Sequence, residues 1–228
     1  MKDNILKVEE SIKKYLSQNS KYFMTSFLAG VLVYFMLMAF DLVNNWDGIW
    51  WNSNYIAGNW EISLGRGLLR YADRARFGVV STSFNTILTL LLLSVANVLI
   101  INALEMKGKF QRYLVLILLI ANPIVCNTLT YCFTAVNYGL AYLLSVLAAV
   151  CVLYSYEKKK KFKIAGCILG GILLGLSMSL YQAYICVTAV LLLFAVAKKL
   201  LEKREVKDIL YYGIYAVCAI FLGGGVRT

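Results

Sequence analysis

Residues 22–40 pass without a single charge, and so do 79–104, 113–126, 138–156, 164–197 and 209–226. About 20 apolar residues in a helix cross the hydrocarbon core of a bilayer, so a chain built from such runs is committed to a membrane. Composition agrees: 61% of the residues are hydrophobic and 15% charged, against roughly 45–50% apolar and about 25% charged in soluble domains. No succession of short alternating segments is present, which favours a helical bundle over a barrel. The expected fold is all-α, a polytopic transmembrane helical bundle of about seven spans.

Charge sets the expected orientation. Of the 23 lysines and arginines, 18 fall in residues 1–21, 107–112, 158–163 and 198–207, which are alternate connections of the seven-span arrangement. Basic residues collect on the cytoplasmic side of membrane proteins, so the N-terminus is expected inside. The net charge of +11 therefore reads as topology, and a nucleic-acid partner is not expected. Residues 1–21 carry Ile5, Val8, Ile12 and Tyr15 at helical spacing among five lysines. They read as a cytoplasmic amphipathic segment on the membrane surface rather than a cleavable leader. The bundle is expected over 22–226, with Arg227 and Thr228 outside, a large outer loop at 41–78 and a turn at 127–137. Residues 164–197 must cross twice between two basic clusters although two ordinary spans want about 40 residues. Both helices are therefore expected to be short, with a polar bend at Ser179, Tyr181 and Gln182. Gly170, Gly171 and Gly175 provide small-residue surfaces for helix packing.

The chain has no histidine, and its six cysteines form no CxxC pair, so imidazole chemistry, zinc and a disulfide framework are all poor readings. No metal site is expected from these residue types. Acid–base chemistry must come from carboxylates, lysine or tyrosine. The loop at 41–78 is where such groups gather. It holds Asp41, Asp47, Glu61 and Asp73, four arginines, and all four tryptophans, Trp46, Trp50, Trp51 and Trp60. A helix over 67–77 would place Arg66, Arg70, Asp73 and Arg74 on one arc and Leu64, Leu68, Tyr71 and Ala75 opposite. That amphipathic helix is expected to lie along the membrane, its guanidinium forks at headgroup level, where phosphate or anionic membrane lipids would meet them. Asp41 and Asp47 follow the first span directly, among indoles and asparagines. An aspartate there is placed to take a hydroxyl proton, and a divalent cation at these carboxylates stays open.

The segments WDGIWW, AGNWEISLGRG and LLRY, from Trp46 to Arg70, resemble the first outer loop of the bacterial GtrII-type glucosyltransferase family. GLSMSLYQAY, from Gly175 to Tyr184, is similar to that family's short hairpin motif, and NPIVCNTLTYCFTAVNYGLAYLLSVLA fits its middle region. The likeness spans about residues 40–193, with LGRG and SLYQA its most specific parts. Where the family motif has a tryptophan after the arginine, this chain has Gly67. The resemblance implies a GT-C type membrane enzyme of the bacterial cytoplasmic membrane. Such an enzyme takes a sugar, usually glucose, from a polyprenyl-phosphate donor and passes it to a cell-surface glycan or lipid-linked acceptor outside. It further implies Asp47 as the essential carboxylate, with Asp41 second, and Arg66 facing the donor phosphate. Arg70, Trp46, Trp60 and Glu61 then join as substrate-binding residues, and Tyr181 and Gln182 map onto the hairpin motif.

A translocase subunit or membrane scaffold is the competing class, discriminated by ionisable residues near the bilayer midplane, of which the apolar runs carry none. Members of the family are usually longer. The chain is accordingly expected to be an N-terminal portion of a larger enzyme, inactive alone.

Overall fold

The computed structural model describes residues 2–42, 45–51 and 53–226, and the side chains of 2–9, 11, 12 and 226 are not among what it describes. Arg227 and Thr228 lie outside the described residues, as do the side chains of Ile5, Val8 and Ile12 on which the surface face of the N-terminal segment rests. Among the described residues the regular structure is helical apart from one isolated bridge.

The first apolar run forms the end of α1 (Lys2–Val33) and α2 (Phe35–Phe40), separated by a single irregular residue, Tyr34. The N-terminal segment and the first crossing are thus one element, with no turn at Lys21. Nothing between Ser17 and Lys21 interrupts a helix, and the polar side chains there bond back to their own backbone, Asn19 to the Tyr15 carbonyl at 2.9 Å and Ser20 to the Ser17 carbonyl at 3.1 Å. Three short helices follow, α3 (Trp46–Trp50), α4 (Asn59–Ser63) and α5 (Gly67–Ala75). The remaining elements are α6 (Thr82–Ala103), α7 (Lys109–Ile120), α8 (Pro123–Thr130), α9 (Ala135–Tyr156), α10 (Lys160–Leu180), α11 (Ile185–Leu201) and α12 (Val206–Val226).

Six helical stretches are long and apolar enough to cross a membrane: Thr82–Ala103, Lys109–Thr130, Ala135–Tyr156, Lys160–Leu180, Gln182–Leu201 and Val206–Gly225. With the bent 22–40 run they make the polytopic bundle of six to seven spans. One boundary differs from the sequence reading. Helix continues through Asn127 to Thr130, so the turn expected over 127–137 shrinks to 131–134. The cause is a restart at Asn122-Pro123: the Asn122 Oδ1 accepts from the Ile124 and Val125 amides at 3.0 and 3.1 Å, and proline sits in the first turn, where its missing N–H costs nothing.

Helix α9 is the centre, flanked by α6 and α10, with α12 against α10 and α11 against α9. The core between them holds Ala96, Val146, Ala149, Val152, Leu191 and Leu192. Gly170 and Gly171 set the close approaches. A Cβ at Gly170 would come within 2.7 Å of Val152 on α9, and one at Gly171 within 2.8 Å of Leu222 on α12. The outward surface carries exposed Phe110, Leu118, Leu193, Phe194 and Phe221, as a lipid-facing bundle requires. Among the polar groups inside, Asn97 bridges Ser26 and Tyr142 at 3.3 Å each.

The two ends of the bundle differ. At one, Lys198 pairs with Glu105, Lys199 with Glu157 at 2.8 Å, and Asn102 with Asn19 at 2.9 Å, which brings the four basic connections to the same side. At the other end lie the 41–78 segment, the 131–134 turn and the α10–α11 hairpin.

Candidate active site

The 41–78 segment folds back on itself before it meets the bundle. Tyr55 donates its amide to the Gly78 carbonyl at 2.8 Å and Val80 to the Ser53 carbonyl at 3.2 Å, closing the antiparallel bridge between Asn54 and Val79. Gly78 has φ +64°, and a Cβ there would stand 2.9 Å from the Tyr55 carbonyl, so the closure needs glycine. Tyr55, Ala57, Leu69 and Phe133 form a small apolar cluster beneath it.

Asp73 organises this segment. It is fully buried, its Oδ2 accepting from the Ala57 amide at 2.9 Å and its Oδ1 from Asn137 Nδ2 at 2.6 Å and Arg76 Nη2 at 2.9 Å. Burial pushes its carboxyl above the ordinary carboxylate value, although the Ala57 amide, Arg76 and Asn137 all pull the other way. Arg76 also donates to the Phe133 carbonyl at 3.0 Å, and Asn85 to the Cys132 carbonyl at 2.8 Å, so the 131–134 turn is held from both sides. The expected arc of α5 divides: Asp73 is buried against the protein and Arg66 and Arg70 bond to protein partners, while Arg74 is exposed. Tyr71, assigned to the membrane side, is 67% exposed on the other face, as a lipid-facing residue would be.

Between segment and bundle lies a cavity of about 230 Å³. Its charged groups are Asp47, Glu61 and Arg66, and its walls are aromatic: Trp51, Tyr55 and Trp60 from the segment, Tyr131, Phe133 and Tyr138 from the bundle. Each charge is placed by local structure. Asp47 stands in the first turn of α3, whose N-cap Asn45 accepts from the Gly48 amide at 2.6 Å and donates to the Thr130 carbonyl at 2.6 Å, tying the helix to the end of α8. Glu61 reaches back to the Gly58 amide at 2.7 Å while its other oxygen accepts from the Tyr55 hydroxyl at 2.8 Å. Burial raises its pKa, but the Tyr55 hydroxyl, the amides of Glu61 and Gly58, and the Arg66 charge outweigh it, so Glu61 lies below its ordinary value. Tyr55 is driven far up by burial and by the same bond.

Arg66 joins the two parts of the sequence that carry the resemblance. The turn at Gly65, φ +79°, leads into Arg66 as the N-cap of α5. Its guanidinium lies 4.5 Å from the centre of the Tyr181 ring, and Nε donates to Gln182 Oε1 at 3.2 Å. Gln182 in turn donates to the Leu64 carbonyl. The LGRG and YQA motifs, more than a hundred residues apart, therefore interlock. Among the described residues no protein acceptor engages the terminal Arg66 nitrogens, which leaves them available to an anion.

Other expected residues fall elsewhere. Asp41 is the left-handed C-cap of α2, with φ +52°, accepts from the Thr82 hydroxyl, and does not line the cavity. Arg70 is bound to the Ala57 carbonyl at 2.9 Å and Asn59 Oδ1 at 2.8 Å, which makes it a brace between α5 and α4. Trp46 stacks on Trp50 at 5.8 Å, outside the cavity. Tyr181 packs on Tyr138 with ring centres 4.5 Å apart, extending the aromatic wall. Among the described residues no three Asp, Glu or Cys side chains gather as a metal site, and the cavity's carboxylates are Asp47 and Glu61.

The sequence profile of glucosyl transferase GtrII matches residues 52–225. The chain belongs to the GtrII glucosyltransferase family. Within the family match lie Glu61, Arg66, Asp73, Tyr181 and Gln182, with Asp41 and Asp47 just ahead of it. No curated protein and no solved structure matches this GtrII chain significantly. Sequence reasoning about the GtrII site named Asp73 only as one carboxylate on the α5 arc, not as its buried brace, and missed Arg76 and Asn137, together with Tyr55, Tyr131, Phe133 and Tyr138. The signal present for several of them was the aromatic density of YCFTAVNY, a turn too rich in rings to be a plain connection.

Proposed function

We propose that this GtrII-family protein transfers glucose from a polyprenyl-phosphate carrier to a hydroxyl of a cell-surface glycan or lipid-linked acceptor, on the outer face of the cytoplasmic membrane. The observation that carries the reading is one cavity, at the end of the bundle opposite the basic connections, that joins the Asp47 carboxylate to an arginine pinned by ring and amide whose terminal nitrogens meet no acceptor among the described residues. The basic connections at the opposite end, expected on the cytoplasmic side, support an outward-facing cavity.

In this mechanism Asp47 takes the proton of the acceptor hydroxyl. The oxygen attacks the anomeric carbon, the bond from that carbon to the donor phosphate oxygen breaks, and the phosphate leaves with the electron pair. Arg66 meets the charge that grows on the leaving phosphate, held in place by Tyr181 and Gln182 so that little reorganisation is needed. The aromatic walls cover the sugar faces. Among the described residues the buried charged side chain is Asp73, in the cap and not at mid-bundle, which speaks against a translocase.

Membranes containing the protein test the donor class. Radiolabelled glucose should move from polyprenyl-phosphate glucose to an endogenous glycan acceptor and not from a nucleotide-linked glucose. Transfer from the nucleotide sugar alone would overturn the reading.

A further inference from the structure

Glu61 is bound more firmly than its place in the chain requires. It is the third residue of a five-residue helix and its bond to the Gly58 amide caps that helix, which is sufficient work for a surface glutamate. A cap uses one oxygen. The second oxygen is fixed by the hydroxyl of Tyr55, a tyrosine only 6% exposed, whose ring is itself held edge-on by Phe133 at 4.6 Å and Trp51 at 5.3 Å. The carboxylate is thus immobilised at both oxygens, and it lines the cavity. An ionised carboxylate has about four acceptor positions. The Gly58 amide bonds one oxygen and the Tyr55 hydroxyl the other, the Glu61 amide adds its pull, and the carboxylate still offers acceptor positions to the cavity that it lines.

Two oxygens of one carboxylate held in place match two neighbouring hydroxyl groups on a ring. The cavity's size narrows the ligand, since about 230 Å³ falls below the roughly 300–1,000 Å³ of pockets that take drug-sized molecules. One small ring fits among the aromatic side chains that line it. Glu61 is also a poor base here, because Tyr55, two amides and the Arg66 charge hold it ionised below its ordinary value. It accepts hydrogen bonds and keeps none of its own to donate.

We propose that Glu61 is the specificity-determining residue for the transferred sugar, its two oxygens accepting from a pair of adjacent hydroxyls of a single hexose ring, with Tyr55 as the positioning residue that fixes their spacing. This rests on the transferase reading above and adds to it which group reads the sugar. A site that hydrogen-bonds a substrate hydroxyl rejects the analogue lacking it far more strongly than an apolar pocket rejects a missing methylene, because its own polar group is left unpaired.

The test uses the four monodeoxy forms of polyprenyl-phosphate glucose, altered at positions 2, 3, 4 and 6, with the wild-type protein, Glu61→Gln and Tyr55→Phe in membranes. Wild type should lose about 100-fold or more in kcat/KM with two adjacent deoxy donors. Glu61→Gln turns one acceptor into a donor and should shrink those two penalties to within about threefold while leaving the other two unchanged. Tyr55→Phe frees one oxygen and should relax one of the pair. Donor binding is followed separately through intrinsic fluorescence, since all four tryptophans lie in the 41–78 segment. If glucosyl donors bind and turn over but the deoxy penalties are the same in Glu61→Gln as in wild type, the role of Glu61 is helix capping and the inference falls alone. If no glucosyl lipid donor binds or turns over, the transferase reading falls and takes the inference with it.

Discussion

Replacing Asp73 with asparagine keeps the shape of the side chain and removes its charge. If the amide oxygen takes the Oδ1 place, it still accepts from Asn137 and Arg76, but the amide nitrogen then faces the Ala57 N–H, donor against donor. One buried donor is left unsatisfied, at about 1–3 kcal/mol. Arg76 loses its countercharge as well, and breaking a buried ion pair costs roughly 3–5 kcal/mol. The Arg76 side chain retains 14% exposure, so part of its charge is solvated and the lower end applies. The expected cost is about 3 kcal/mol, or two orders of magnitude in the docking of the segment. Tryptophan fluorescence reads it directly. In Asp73→Asn the emission should shift to the red, and its thermal midpoint should fall by about 6–12 °C, while far-UV circular dichroism of the spans is retained. An unchanged midpoint in Asp73→Asn would refute the reasoning.

Three further outcomes are expected. Arg66→Lys keeps the charge but loses the fork, the Gln182 bond and the stack on Tyr181, so donor KM should rise about tenfold or more with normal membrane levels; unchanged kinetics would remove Arg66 from the phosphate. Gly171→Leu forces side-chain atoms into the α10–α12 contact, where a Cβ alone is 2.8 Å from Leu222, and should lower stability by about 1–3 kcal/mol, measured by thermal aggregation in detergent. In a background without native cysteines, a cysteine at Ser63 should react with an impermeant thiol reagent in intact cells and one at Lys160 should not, because the two lie at opposite ends of the bundle; the reverse would invert the orientation.

The spans and their sorting were legible because burial in lipid demands long uncharged runs, and because the basic connections have no other place to go. The Arg66–Tyr181–Gln182 contact was legible only as two motifs, since nothing in either stretch specifies the other as its partner. The partners of α5 were not legible. Helical periodicity says that Arg66, Arg70, Asp73 and Arg74 share a face, but which of them the protein buries depends on what that face meets. Asn137 and the Ala57 amide, which bury Asp73, come from distant parts of the chain. The Asn122-Pro123 restart was available as an N-cap followed by proline and was overridden by hydropathy, which continues through it. That Asp47 and not Asp41 lines the cavity was not legible, because both follow the first span and only the docking of α3 by Asn45 brings one of them there.

The most direct measurement is glucose transfer from polyprenyl-phosphate glucose by membranes carrying the wild type, Asp47→Asn or Asp41→Asn. An amide cannot take the acceptor's proton, so Asp47→Asn should lose about 100-fold or more in turnover, within the range that a general base supplies, while Asp41→Asn stays within a few-fold of wild type. Normal turnover in Asp47→Asn, with or without loss in Asp41→Asn, would contradict the account.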